Sequence, residues 1–260
     1  MLDEYAPRGS DIYYVLRQIS LKKRRAYQAI HALAMELNQI SEQYREANIA
    51  EQKLRWWQDE LERFFAGQAS HPILYALNNQ RDNLSHTSLL ALVEANLLSL
   101  KTHIFETRSE LMQHYQHLGG IQFDLKAQVL GLKTDPTLHH QLGTGSEILR
   151  HLIHFRRFLH KQHLYFALED FRSHQIDPQP ILQCRDPDTL RPLFEEYLQL
   201  AKHNQPPYQA ECKPLFLELT LQFKQIQKIR AQAWQWAHQG VELTPLQKLF
   251  HTIWPSIKKR

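Results

Sequence analysis

The most reactive side chains of this sequence lie close together, in residues 150–163. This stretch carries four histidines and four arginine or lysine residues but no acidic residue. Two pairs, His151 with His154 and His160 with His163, are spaced so that each pair shares one face of a helix. Zinc sites use such pairs, but they need three or four ligands, and no cysteine lies nearby. We therefore interpret the stretch as a solvated basic face and keep zinc binding as the alternative.

Paired carboxylates, which often carry out acid–base chemistry, occur at Glu60/Glu62 and at Glu195/Glu196. Residues one or two positions apart on a helix do not face each other, so neither pair has the spacing to cooperate. We predict both pairs to be solvent-facing charges.

Tryptophans offer contact surface rather than chemistry. Trp56 and Trp57 are adjacent in an amphipathic segment, so only one of them can face inward, and the other is a candidate interface residue. A second group lies near the basic C-terminal end: Trp234, Trp236, Trp254 and Lys258 to Arg260. We interpret this second group as a packed helix pair with a charged end, with a membrane-surface anchor as the alternative.

Helices must position these side chains, because glycine is scarce and alternation of apolar and polar residues is almost absent. Gly119-Gly120 is expected to break or bend a helix, and the segment 143–145 is expected to punctuate the chain. The sequence predicts an all-α fold and a single domain over residues 1–260. The predicted helices cover residues 10–18, 20–44, 49–65, 71–79, 87–117, 121–132, 146–159, 188–202, 207–239 and 244–258.

Composition restricts the partners and the compartment. The net charge of +4 is too small to indicate a nucleic-acid-binding protein. Cys184 and Cys212 lie far apart and lack metal-type spacing, which favours reduced thiols. We expect no signal peptide at the N-terminus, and the most apolar run, residues 88–100, is too short to span a bilayer. The prediction is a cytoplasmic protein, with peripheral membrane contact left open.

Several short motifs follow one another in a fixed order. Leu54-Arg-Trp-Trp-Gln-Asp-Glu-Leu61 precedes His71-Pro, and Ser10-Asp-Ile-Tyr-Tyr14 and Ala127-Gln-Val-Leu-Gly131 flank them. Together they resemble the "LQWWRDEL", "HPV", "SFYYA" and "A.VLG" motifs of the squalene/phytoene synthases, the head-to-head prenyltransferases. The resemblance is strongest over residues 10–180, with residues 1–9 as an N-terminal extension. It implies an isoprenoid-synthase-like helical bundle around a central cavity.

The resemblance also implies a chemistry that this chain does not match. In the family, two aspartate-rich helical motifs face each other across the cavity and hold Mg²⁺ ions, which help a diphosphate leave. The two leading aspartates of the first motif fall here on Asn38 and Gln39, and only Glu42 keeps a carboxylate.

The second acidic motif has changed further. Its usual glutamine falls on Glu147 and its asparagine on Arg150, while its two aspartates fall on His154 and Phe158. A Mg²⁺ ion would meet cations there, so the resemblance predicts no catalytic residue and no metal ligand. The candidate ligand-binding residues are those at the motif positions and those that match the family elsewhere: Ser10, Tyr13, Asn38, Gln39, Glu42, Glu147, Arg150, His154 and Tyr165.

Two functions follow from this comparison. The first is a non-catalytic binding or assembly module for a prenyl lipid or a membrane-associated protein, similar to the complex I assembly factor branch of the family, which also lacks the acidic motifs. The second is a Mg²⁺-dependent prenyltransferase that condenses two prenyl diphosphates, with Glu42 and other carboxylates as metal ligands. A third, weaker hypothesis is that Arg150 and His154 bind an anionic headgroup without metal.

Overall fold

The computed structural model describes residues 2–43, 46–102, 104–159, 161, 163–183, 187–232 and 241–257. His160, Cys184, Trp234, Trp236 and the basic C-terminal residues lie outside these ranges, as does the side chain of Trp254. Fourteen α-helices lie in the described part of the chain: α1 Asp11–Leu16, α2 Leu21–Gln43, α3 Ala47–Phe65, α4 Pro72–Tyr75, α5 His86–Lys101, α6 Arg108–Tyr115, α7 Ile121–Leu130, α8 Pro136–Ile153, α9 Phe155–Leu159, α10 Leu168–Ser173, α11 Pro178–Leu182, α12 Arg191–His203, α13 Lys213–Ala231 and α14 Pro245–Ile257.

The prediction of an all-α fold is confirmed, because the described residues form helices and contain no β-strand. The buried apolar residues form two clusters, and α7 contributes to both. Phe123 and Ala127 lie in a cluster with α8, α12 and α13, whereas Leu125 and Val129 lie in a cluster with α2, α3 and α5. Helix α7 therefore joins the two halves of the core.

Local sequence signals set several helix boundaries as expected. The hydroxyl of Ser10 accepts a hydrogen bond from the backbone N–H of Tyr13 and caps α1. Gly67 follows α3 with a φ of 77°, a left-handed conformation that favours glycine at a helix end. Trp57 is buried and Trp56 is 42% exposed, so the prediction that only one of the pair faces inward is confirmed.

The single helix predicted over residues 87–117 is wrong. Helix α5 ends at Lys101, and the backbone becomes extended at Thr102. Phe105 then forms a parallel β-bridge with Ala167, and Thr107 starts α6 through a capping box with Glu110. The apolar periodicity hid this interruption, although the capping-box residues were present in the sequence.

Glycines 143 and 145 do not interrupt a helix, because α8 runs through both of them. A Cβ atom on Gly143 would overlap the carbonyl oxygen of Gly119, and a Cβ atom on Gly119 would overlap the carbonyl of Gly143. Gly119 and Gly120 lie in a π-helical turn, residues Gln116–Gly120, between α6 and α7. Because these glycines lack side chains, the π-helical turn and α8 can cross with their backbones in direct contact.

Glu60 is fully buried, so the prediction that it faces solvent is wrong. Its carboxylate accepts hydrogen bonds from the backbone N–H groups of Ser70 and His71, and its other oxygen accepts one from Arg63. The carboxylate thus fixes the turn that leads into the His71-Pro motif and α4. Within the described ranges, no helix is both long enough and apolar enough to cross a bilayer.

Candidate functional site

Arg150 lies between two carboxylates on facing helices. Its Nη1 donates to Oε1 of Glu42 on α2 at 2.6 Å, and its Nη2 donates to Oε1 of Glu147, one turn earlier on α8, at 2.6 Å. Its Nε also donates to both oxygens of Glu147, at 3.0 and 3.1 Å. The side chains of Glu42 and Glu147 are buried, and that of Arg150 is 18% exposed. A guanidinium therefore links α2 to α8.

Two further basic side chains approach Glu42. Nη2 of Arg157 lies 3.7 Å from Oε2 of Glu42, and Nζ of Lys161 donates to the backbone carbonyl of Glu42. Charge-assisted hydrogen bonds of this kind are stronger than neutral ones. The protein's own cations thus neutralise the carboxylates of the site.

Aromatic rings and one imidazole pack beside Arg150. The Cζ atom of Arg150 lies 5.3 Å from the ring centre of Phe158, a cation–π distance. The ring of His151 lies 3.8 Å from that of Tyr165 and 4.6 Å from that of Phe158, centre to centre. Tyr115 lies 5.1 Å from His151, and its hydroxyl donates to the backbone carbonyl of Tyr165 at 3.0 Å. All four rings are buried. At Phe158, where the family resemblance places an aspartate, an aromatic ring therefore packs against its neighbours instead.

Burial and neighbouring charges shift the pKa values of Tyr165, His151 and Arg150. The pKa of Tyr165 is raised by burial and then by the charge of Glu42, so the phenol keeps its proton. The pKa of His151 is lowered well below its ordinary value by burial and then by the charge of Arg150. Burial alone would lower the pKa of Arg150, but Glu147 and Glu42 raise it overall. Each of these three side chains keeps a single charge state at neutral pH, which favours a structural role over proton transfer.

The other five predicted site residues lie outside this cluster or at its margin. Ser10 caps α1, and Tyr13 lines a separate cavity near the N-terminus. Gln39 lines another cavity, beside α3. Asn38 is half-buried on α2, and His154 is exposed at the C-terminal end of α8. The remaining four predicted residues form the cluster around the guanidinium.

A second buried charge lies on α7. Lys126 has a fully buried side chain, and its Nζ donates to Oε2 of Glu218 at 2.6 Å, while Tyr27 donates to Oε1 of the same glutamate at 2.6 Å. Burial and then the charge of Lys126 lower the pKa of His31 to about 4. No local spacing in the sequence predicts this network, because its members come from three distant helices.

The residues of the α2–α8 site do not fit a magnesium ion. Mg²⁺ prefers carboxylate oxygens and water in octahedral geometry. Glu42 and Glu147 instead direct their oxygens at Arg150, and Phe158 offers no ligand atom. In the described part of the chain, no group of three or more His, Cys, Asp or Glu residues is placed to hold a metal ion.

The basic stretch 150–163 divides between the interior and the surface. The interpretation as a solvated face is wrong for His151, which is 2% exposed, and for the mostly buried Arg150. It holds for Arg156, which is exposed. Because the stretch itself has no acidic residue, its ion-pair partners lie outside it: Glu147 comes one turn earlier on α8, and Glu42 comes from α2.

The chain is similar to known proteins in both sequence and fold. The family model for squalene/phytoene synthase matches residues 6–210, whereas a search of curated protein sequences finds no match. A dehydrosqualene synthase crystallised with a ligand superposes with a TM-score of 0.82 at 15% identity, covering 100% of this chain and 95% of that one. The squalene synthase HpnC from Alicyclobacillus acidocaldarius gives a TM-score of 0.73 at 18% identity, covering 90% of this chain and 93% of that one. These structures show the isoprenoid synthase fold, and the family match shows that the chain belongs to the squalene/phytoene synthase family.

Proposed function

We propose that this protein is a non-catalytic member of its family that retains the fold as a binding or assembly module. The observation that carries the proposal is the guanidinium of Arg150 between Glu42 and Glu147. These are positions at which the family resemblance places metal-binding and substrate-binding side chains. A guanidinium supplies the positive charge that these carboxylates need, but it cannot act as a Lewis acid on a diphosphate.

The surroundings of Arg150 support the same proposal. Any metal ion entering between α2 and α8 must displace Arg150 from two carboxylates and then approach Arg157 at short range. Repulsion between the cations and the cost of exposing a buried ion pair both oppose this step. A Mg²⁺-dependent prenyltransferase would therefore need carboxylates other than Glu42 and Glu147.

Prenyl lipids or a membrane-associated protein are the partners that we propose, by analogy with the complex I assembly factor branch. Family members bind prenyl diphosphates, so an isoprenoid chain is the ligand class that the fold favours. The half-exposed Trp56 beside α2 offers a contact surface for a protein. We propose a cytoplasmic protein that contacts membranes peripherally. Headgroup binding by Arg150 has less support, because this guanidinium already donates to Glu42 and Glu147.

Turnover of prenyl diphosphates tests this proposal. The purified protein is incubated with farnesyl or geranylgeranyl diphosphate and Mg²⁺, and the extracted lipids are separated by chromatography. We expect this protein to form no squalene, dehydrosqualene or phytoene. An active dehydrosqualene synthase, as the positive control, should give product under the same conditions. Formation of any of these products by this protein, above a heat-denatured control, contradicts the proposal.

Metal binding gives an independent readout. The thermal unfolding temperature is measured with and without millimolar Mg²⁺, in the presence and absence of inorganic pyrophosphate. Ligands that bind only the folded state raise this temperature. We expect Mg²⁺ alone to leave it unchanged, and an increase that Glu42→Gln abolishes would show that the glutamate still ligates metal.

A further inference from the structure

A cavity of about 380 Å³ lies where the N-terminal segment meets α1 and the start of α2. Three arginines line it: Arg8 from the N-terminal segment, Arg17 from the residue after α1, and Arg24 from the first turn of α2. Arg24 and Glu42 are separated by five turns of α2, which is roughly 27 Å at the rise of an α-helix. The cavity is therefore separate from the site around Arg150.

The guanidinium of Arg24 is only partly satisfied. Its Nη2 donates to the backbone carbonyl of Ile19 at 3.0 Å, which fixes the side chain in place. Its Nε is buried and has no hydrogen-bond partner. A buried donor without an acceptor carries a free-energy cost.

The other two arginines, Arg8 and Arg17, are exposed. Arg17 lies over the ring of Tyr13, with its Cζ atom 5.9 Å from the ring centre. Among the described residues, no carboxylate forms an ion pair with Arg8, Arg17 or Arg24. Asp3 is the one acidic residue in the cavity lining, and its carboxylate lies 3.5 Å from the amide nitrogen of Gln28. The cavity therefore has an excess of positive charge.

The remaining lining residues indicate the kind of anion. Gln28 and Tyr13 add neutral polar residues to the lining, and the amide of Gln28 already donates to the backbone carbonyl of Leu2 at 2.9 Å. Ala6 and Leu16 add apolar residues. The planar guanidinium group matches the geometry of phosphate oxygens and can donate two parallel hydrogen bonds to them. The volume exceeds that of a single inorganic phosphate, which leaves room for a second phosphate or for a small organic group.

We propose that this cavity binds a phosphate monoester or diphosphate group through Arg8, Arg17 and Arg24. The proposal does not depend on the function of the α2–α8 site, because no residue is shared between the two. The group is carried either by a soluble metabolite or by a lipid headgroup, and both sources present the same phosphate oxygens to the arginines.

Titration calorimetry with inorganic pyrophosphate, in buffer without phosphate, tests the soluble source. Arg17→Gln removes an exposed cavity arginine, so we expect the fold to be retained, and Arg24→Gln removes the one with the buried Nε. Arg25→Gln is the matched control, because it removes the same charge from the adjacent exposed position, outside the cavity lining. Sedimentation with phosphatidylcholine vesicles, with and without phosphatidic acid, tests the lipid source with the same variants.

We expect the wild-type protein to bind pyrophosphate or the phosphatidic acid vesicles. Each cavity variant should weaken that binding about tenfold or more, because each removes a cation that would donate hydrogen bonds to the phosphate group. The control should change it less than about twofold. Binding in the first assay identifies a soluble ligand, and binding in the second alone identifies a headgroup. The proposal is overturned if both assays show no binding, or if the control weakens binding as much as Arg17→Gln.

Discussion

The ion pairs of Arg150 should make a large contribution to stability, and Arg150→Met tests this directly. Methionine is also a long side chain, so the change removes the charge with little loss of packing volume. It leaves Glu42 and Glu147, both nearly inaccessible to water, without their shared cation. Two carboxylates then remain in a poorly solvated space, where each disfavours the other and where Arg157, 3.7 Å from Glu42 and itself partly exposed, compensates only one of them.

The size of the effect follows from burial. Removing one partner of a buried ion pair costs about 3 to 5 kcal/mol, because an uncompensated charge is left behind. For a chain of this length, that cost lowers the unfolding temperature by roughly 10 °C. The exposed pair Arg55–Glu51 has the same N–O distance of 2.6 Å, with side chains 61% and 33% exposed. Arg55→Met should cost less than about 1 kcal/mol, since exposed pairs contribute little.

Urea unfolding, followed by circular dichroism, measures both variants without the ionic screening that guanidinium salts introduce. A triple variant, Arg150→Met with Glu42→Gln and Glu147→Gln, removes all three charges and should recover most of the lost stability. A loss below about 1 kcal/mol for Arg150→Met, or one equal to that of Arg55→Met, would refute the reasoning. A triple variant less stable than Arg150→Met would refute it as well, because unpaired carboxylates would then not be the cause.

Three further changes test other parts of the structure. Glu60→Gln should lower the free energy of unfolding by about 2 to 3 kcal/mol in urea, because a buried carboxylate that accepts from two backbone N–H groups is lost. Gly143→Ala should lower the free energy of unfolding by about 2 to 3 kcal/mol, because the added Cβ overpacks a backbone contact. Gly145→Ala is the comparison: its Cβ would meet its nearest atom at 3.2 Å, and its free energy of unfolding should be close to that of the wild type. His114 is buried, and burial and then the charges of neighbouring basic groups lower its pKa from 6.5 to about 4, so only the unfolded state takes up its proton between those values. The stability that depends on His114 should therefore fall as the pH falls from 7, by about 2 kcal/mol at pH 5. Other buried histidines, such as His31 and His151, act in the same direction, so His114→Gln should remove this share of the pH dependence in urea titrations at each pH.

The features that the sequence predicted correctly depend on neighbouring residues. Ser10 caps α1 because its hydroxyl lies three residues from the N–H that it serves, and the Trp56/Trp57 division follows from helical periodicity alone. The order of short motifs was enough to predict an isoprenoid-synthase-like helical bundle. Each of these signals is contained within a few turns of helix.

The features that the sequence did not predict depend on distant partners. Arg150 and Glu42 are 108 positions apart, so nothing local shows that the basic stretch would find its carboxylate on α2. Gly143 looked like a turn residue because its reason for lacking a side chain, the backbone at Gly119, lies on another helical segment. Glu60 was likewise predicted to face solvent, and nothing local shows that the backbone N–H groups of Ser70 and His71, ten and eleven residues later, would bury it.

The guanidinium between α2 and α8 is covalently part of the chain, and this has a consequence for how the protein responds to its environment. A resident metal ion can be removed by chelators, and its occupancy follows the concentration of free ion. The side chain of Arg150 is present at a fixed ratio from synthesis onward and keeps its proton at every physiological pH. If no metal binds here, folding alone sets the charge balance between these helices, and we expect the stability contributed through this site to be independent of the divalent cations around it.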